Sequence, residues 1–224
     1  MTSTLYPLSS RLLRVFSVIV LTPLFWQGAS VSAHTPPPQN ASVPKQEMGT
    51  NPCPIVWQGL IERFMITSSQ SPLPARPRGA EAGRRMTELP RFHVPINTPI
   101  TDQTNPPSSG SHYDCTAPWG IYEKAPADGF LVHNLEHGTV IISYNPYRIQ
   151  GQTLEQLRTQ ARELSLTNAR LILTPRPQLN TAIALTAWGY LKKLNRYDPI
   201  AVKAFYESNI ARAPECENGR CPDW

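Results

Sequence analysis

The chain has 224 residues and a formal net charge of +5. That balance is only mildly basic, and apart from "RPRGAEAGRR" at Arg76 to Arg85 the basic residues are scattered. The sequence therefore lacks the concentrated positive face of a nucleic-acid-binding protein.

At the N-terminus, Arg11 and Arg14 precede an apolar run from Val15 to Trp26. The run is short for a bilayer span, which needs about 20 residues. Val31 and Ala33 put small residues where a signal peptidase requires them, so residues 1–33 read as a signal peptide cleaved after Ala33. Loss of the two arginines lowers the formal charge from +5 to +3. The expected setting is exported, periplasmic or extracellular, with no stable membrane span in the mature chain. Residues 34–88 read as a Pro-rich lead. It contains a short helix over Pro54 to Ser69, suggested by Val56, Leu60, Phe64 and Met65, and then a solvated linker. The compact domain is expected over residues 89–224, a length that supports one ordinary core.

Inside that domain, Pro99 to Pro118 is crowded with Pro, Ser and Gly and reads as loop. "FLVHNLEHG" permits a two-turn helix over Phe130 to His137, with Asp128 as cap and Gly138 just past its end. "TVIISY", Thr139 to Tyr144, is β-branched and apolar throughout, the pattern of a central strand. Thr153 to Ser165 repeats apolar residues at Leu154, Leu157, Ala161 and Leu164, an amphipathic helix with Thr153 as N-cap. A second strand covers Ala169 to Pro175. A third runs through Ala187, with Gly189 marking a bulge or close approach. Asp198 and Pro199 open a last helix to Ile210. The expected fold is α+β, one small mixed sheet with helices packed against it.

Four cysteines, an even number in an exported chain, indicate disulfides. Asn218-Gly219 is a tight-turn signal between Cys216 and Cys221 and would bring their sulfurs together. The pairing expected is Cys216–Cys221 with Cys53–Cys115.

The chemical residues concentrate in H-x-x-E-H, His133 to His137. Histidines at i and i+4 share a helix face and can share one metal ion, with Glu136 nearby as general base. That is the inverted zinc-peptidase arrangement, for which Glu207 and Glu215 are available as a further ligand. His112, presented from a Gly/Ser loop, makes a three-imidazole set with His133 and His137, suited to zinc or copper. Tyr113, Asp114 or Glu136 would complete the shell or orient a ring. The alternatives are a metal-dependent hydrolase with Glu136 as base, and a non-catalytic envelope protein whose histidines staple loops by hydrogen bonding. His93, in "RFHVP", reads as a packed or surface histidine on a strand. Trp119, Tyr122, Trp188 and Tyr190 read as core or rim aromatics.

"NPPSSGSHY", "WGIY", "LVHNLEHGTVIISYNP", "LTPRP" and "ALTAWGYL" together resemble, in order, an uncharacterised bacterial family known as domain of unknown function 3105. The likeness runs from about Asn105 to Glu215. It implies an extracytoplasmic α+β domain and directs attention to Ser109, Gly110, His112, His133, Glu136, His137, Gly138, Trp188 and Gly189. It implies no particular activity, substrate or cofactor.

Overall fold

The computed structural model describes residues 59–65, 79–101, 104–217 and 219–222. Strands are β1 (Leu60–Arg63), β2 (Arg84–Arg85), β3 (His93–Val94), β4 (His112–Tyr113), β5 (Gly120–Tyr122), β6 (Val140–Tyr144), β7 (Leu171–Pro175), β8 (Ile183–Ala187) and β9 (Tyr190–Leu194). Helices are α1 (Asp128–Glu136), α2 (Gly151–Ser165) and α3 (Pro199–Asn209). Seven strands form one sheet in the order β1-β5-β7-β6-β8-β9-β2, and β3 pairs with β4 separately. β5, β7 and β6 run parallel, while the remaining pairs of that sheet are antiparallel. The expected mixed-sheet α+β fold is thus the observed one.

Every residue of β6, β7 and β8 is buried, because helices cover both faces of the sheet. Along β6, Val140, Ile142 and Tyr144 meet Leu157, Ala161 and Leu164 of α2 and Val202, Phe205 and Tyr206 of α3 in one core. Ile141 points the other way, to Phe130, Leu131, Val132 and Leu135 of α1. The period-two alternation of a strand therefore sorts one apolar run into two cores. Asp198 caps α3 as expected, accepting from the Ala201 N–H at 3.0 Å.

Several expectations are corrected. The helix expected over Pro54 to Ser69 gives way at Leu60–Arg63 to an edge strand. Leu60 and Phe64 stand four apart, which fits a helix and a strand equally. An irregularity between Leu60 and Glu62 then sends them to opposite cores. The linker expected up to Glu88 holds the other edge strand, Arg84–Arg85, against β9. Both arginines are exposed, and charge on an edge strand discourages further pairing. The sheet thus draws on residues before Leu89.

α2 starts two residues before Thr153, with Gln150 at the N-cap. The preceding turn is tightened by Asn145, whose carbonyl accepts the Arg148 and Ile149 N–H groups. The third strand ends at Ala187 as expected, and Trp188 and Gly189 form the turn of a hairpin to a further strand, β9. Gly189 does make the close approach expected, to the Glu88 side chain. Among the described residues no helix is long and apolar enough to cross a membrane. Residues 1–33 and Cys53 lie outside the described residues.

Candidate metal centre

The site is built from one helix turn and one two-residue ladder. α1 begins at Asp128, with Ala127 rather than Asp128 at the N-cap. Asp128 instead takes two hydrogen bonds from Arg176, at 2.6 and 2.9 Å. α1 lies directly on β4: a Cβ at Gly129 would stand 2.6 Å from the Tyr113 ring. That contact brings the last turn of α1, with His133 and Glu136, against His112. In the parallel β3–β4 ladder, His93 is in register with His112.

α1 ends where the sequence indicates. Gly138 follows the His137 cap with φ of +75°. A Cβ there would lie 2.7 and 2.8 Å from the sulfurs of Cys216 and Cys221. Those two cysteines are joined as expected, and Glu217 and Arg220 exchange backbone hydrogen bonds across the turn. Cys115 is also disulfide-bonded; Cys53, its expected partner, lies outside the described residues. The Ala211 N–H donates to the Gly138 carbonyl and the Glu215 N–H to that of Glu136. The C-terminal segment therefore braces the helix end that carries the polar residues.

Four of the chain's five histidines meet here. Ring centroids are 4.9 Å apart for His93 and His112, 5.1 Å for His93 and His133, 4.8 Å for His112 and His133, and 4.8 Å for His133 and His137. One donor atom from each of His93, His112, His133 and Glu136 lies within 4.8 Å of the others, so this cluster can hold a metal ion. Ligands on one tetrahedral zinc ion sit about 3.4 Å apart. To hold such an ion the cluster would draw its widest donors inward, while the His112–Glu136 pair, 2.8 Å apart, would open.

The His112 tautomer follows from its neighbours. Its Nδ1 is 2.9 Å from the Gly110 carbonyl, which can only accept, so Nδ1 carries the proton. The other ring nitrogen, Nε2, lies 2.8 Å from Oε2 of Glu136. The separation is that of a strong contact, yet Nε2 is buried with no directed hydrogen bond, and so is Nδ1 of His133. A ring nitrogen and a carboxylate oxygen this close share something positive between them, a proton or a metal ion. The other Glu136 oxygen, Oε1, accepts from Arg91 at 2.9 Å, and Arg91 also reaches Glu215 at 3.3 Å.

Burial pushes the His133 imidazole down to about 4, and the neighbouring His112, His137 and His93 push the same way against Glu136. His133 is therefore neutral at pH 7, with a lone pair available to a cation. Burial also lowers His137. For Glu136 burial acts upward, but the His112 and Arg91 contacts outweigh it and hold the carboxyl down at about 2. The neutral His133 imidazole thus shares the cluster with the ionised Glu136 carboxylate.

Of the residues singled out in the sequence, His112, His133 and Glu136 fall within the donor group. His137 stands behind His133, outside that group. Glu215 lies at the rim through Arg91, whereas Glu207 pairs with Lys203 along α3. Asp114 is 3.4 Å from His93. Trp188 packs edge-on against His112 at 6.4 Å and donates to Glu88. The Ser109 hydroxyl accepts the Leu89 N–H, and the Gly189 N–H donates to Ser108, so the PPSSG and AWG segments meet beside His112. Asn134 is a staple, giving and taking 2.9 Å bonds with the Ala117 backbone. Trp119 donates to Thr139 and lies under Arg170, and Tyr122 is a core residue bonded to Pro118. His93 is a surface strand histidine, as its context indicates. Its place beside His112 depends on a pairing of distant segments that "RFHVP" alone does not reveal.

A family model described as "Protein of unknown function (DUF3105)" matches residues 93–222. The chain belongs to this family. The match takes in all four clustered histidines, Glu136 and the Cys216–Cys221 pair. No curated protein and no solved structure matches the chain.

Proposed function

We propose that this DUF3105 domain binds one transition-metal ion, zinc or copper, through His93, His112, His133 and Glu136. The observation that carries the reading is the gathering of one donor atom each from His93, His112, His133 and Glu136 within 4.8 Å of one another, with His112 Nε2 2.8 Å from Glu136 Oε2. Repeated imidazole with one carboxylate is a donor set suited to either metal. Gly110 fixes the His112 ring and Arg91 fixes the Glu136 carboxyl, the kind of outer support that metal ligands have. Both Glu136 oxygens are engaged, which favours the role of ligand over that of general base. The leader pattern before His34 and the Cys216–Cys221 bond support an exported protein in an oxidising compartment.

The test is a calorimetric titration of the chelator-stripped full chain with zinc and, separately, with copper. The expected result is one equivalent bound with a rise in melting temperature, since a ligand that binds only the folded state stabilises it. His112→Ala should abolish both effects. Binding of neither metal above trace level would contradict the reading.

A further inference from the structure

The four donors differ in how they meet solvent. The His112 and Glu136 side chains are 1% and 6% exposed, and His133 is 6% exposed. The His93 side chain is 54% exposed. The inner three are fixed by α1, by β4, by the Gly110 carbonyl and by Arg91. Beyond its ring contacts with His112 and His133, His93 lies 3.4 Å from Asp114, which is itself 79% exposed. The backbone under His93 is tied down, because the His112 N–H donates to the Phe92 carbonyl at 3.0 Å. The backbone at His93 is thus held in place while its imidazole is open to solvent.

We propose that His93 is the exchangeable ligand of the site, and that the domain takes up and hands on its ion there by direct ligand substitution. This rests on the metal-binding reading above. In release, the bond between the ion and a His93 ring nitrogen breaks as a bond forms to a nitrogen or carboxylate oxygen of an incoming chelating molecule. The ion keeps its charge, no electron moves, and the freed imidazole returns to its place beside Asp114. The three inner donors then follow in turn. Uptake is the reverse: the ion is passed inward to the preset His112, His133 and Glu136, and His93 closes over it. The partner is any donor or acceptor that presents chelating nitrogen or carboxylate groups to the exposed β3 face. A sealed structural site would instead bury all its ligands and let its ion go only as fast as the protein opens.

The test uses the full chain loaded with cobalt(II), whose absorption reports its ligands, mixed rapidly with a polyaminocarboxylate chelator. In the wild type the transfer rate should rise with chelator concentration. His93→Ala should still bind one equivalent, with an altered cobalt spectrum, and lose it clearly faster than the wild type. Its metal-free melting temperature should match the wild type, because the side chain is half exposed. Overturning results are a His93→Ala protein that folds but binds no cobalt, one that releases cobalt at the wild-type rate, or a wild-type rate independent of chelator. Failure of the wild type itself to bind cobalt would instead remove the metal reading on which the inference stands.

Discussion

The two faces of the sheet are built on different terms. Under α2 and α3 the contacts are apolar: Leu157, Ala161, Leu164, Val202 and Phe205 close over Val140, Ile142, Leu171 and Leu173. Under α1 the first turns pack Phe130, Leu131 and Val132 in the same way. The last turn then buries His133, Asn134, Glu136 and His137. Burying that many polar groups is costly unless each finds a partner. Asn134 finds one in the Ala117 backbone and His112 Nε2 faces Glu136 at 2.8 Å, whereas His133 Nδ1 has no hydrogen-bond partner. The first face is mainly apolar; the second gathers buried imidazoles and a carboxylate in a place where a cation would satisfy them.

The sharpest break in this comparison is to remove donors from the second face alone. His112→Ala with His133→Ala should reduce metal affinity well beyond the ~10–100-fold that follows loss of a supporting residue, read by titration of the folded variant. On the first face, Phe205→Ala should lower stability by about 3–5 kcal/mol in denaturant unfolding. The protein that remains folded should still take up one equivalent of metal.

Gly138→Ala joins the two concerns. It puts a side chain into a left-handed position, at about 1–2 kcal/mol, and against two sulfurs, at about 1–3 kcal/mol more. Thermal unfolding should show the loss. Arg91→Met removes the clamp on Glu136 Oε1 and should weaken metal binding by about 10-fold with little change in melting temperature.

The smallest effect is on pH dependence in the metal-free protein. His133 in the unfolded chain takes up its proton near 6.5, but in the folded chain only near 4. The contribution is fully present above about 6.5 and is lost as pH falls toward 4. His137 is lowered too and adds the same sign. Glu136, held at about 2, adds stability above its ordinary value near 4.5 that is lost as pH falls through 2. Urea unfolding across this range should show stability declining from pH 6.5 downward, and His133→Asn should flatten the upper part of the decline.

How far the sequence reads follows the same division. The strands "VIISY" and "LILTP", the α2 stripe and the Asp198-Pro199 cap are local patterns, and each lies where its period or cap chemistry puts it. The edge strands are not legible, because "LIER" and "RR" owe their state to backbone bonds with β5 and β9 rather than to their side chains. His112, His133 and Glu136 stand out by chemistry. His93 does not, since its place is set by a two-residue pairing between segments 19 residues apart. A helix also lets His133 and His137 face the same way without deciding which of them looks toward His112.

The most direct test of the central claim is elemental analysis of the full chain recovered from an oxidising compartment, beside the His112→Ala/His133→Ala variant. The account predicts about one equivalent of zinc or copper in the wild type and none in the variant. A metal-free wild type whose melting temperature is unmoved by chelator or by added metal would contradict it, and the histidines would then be loop staples.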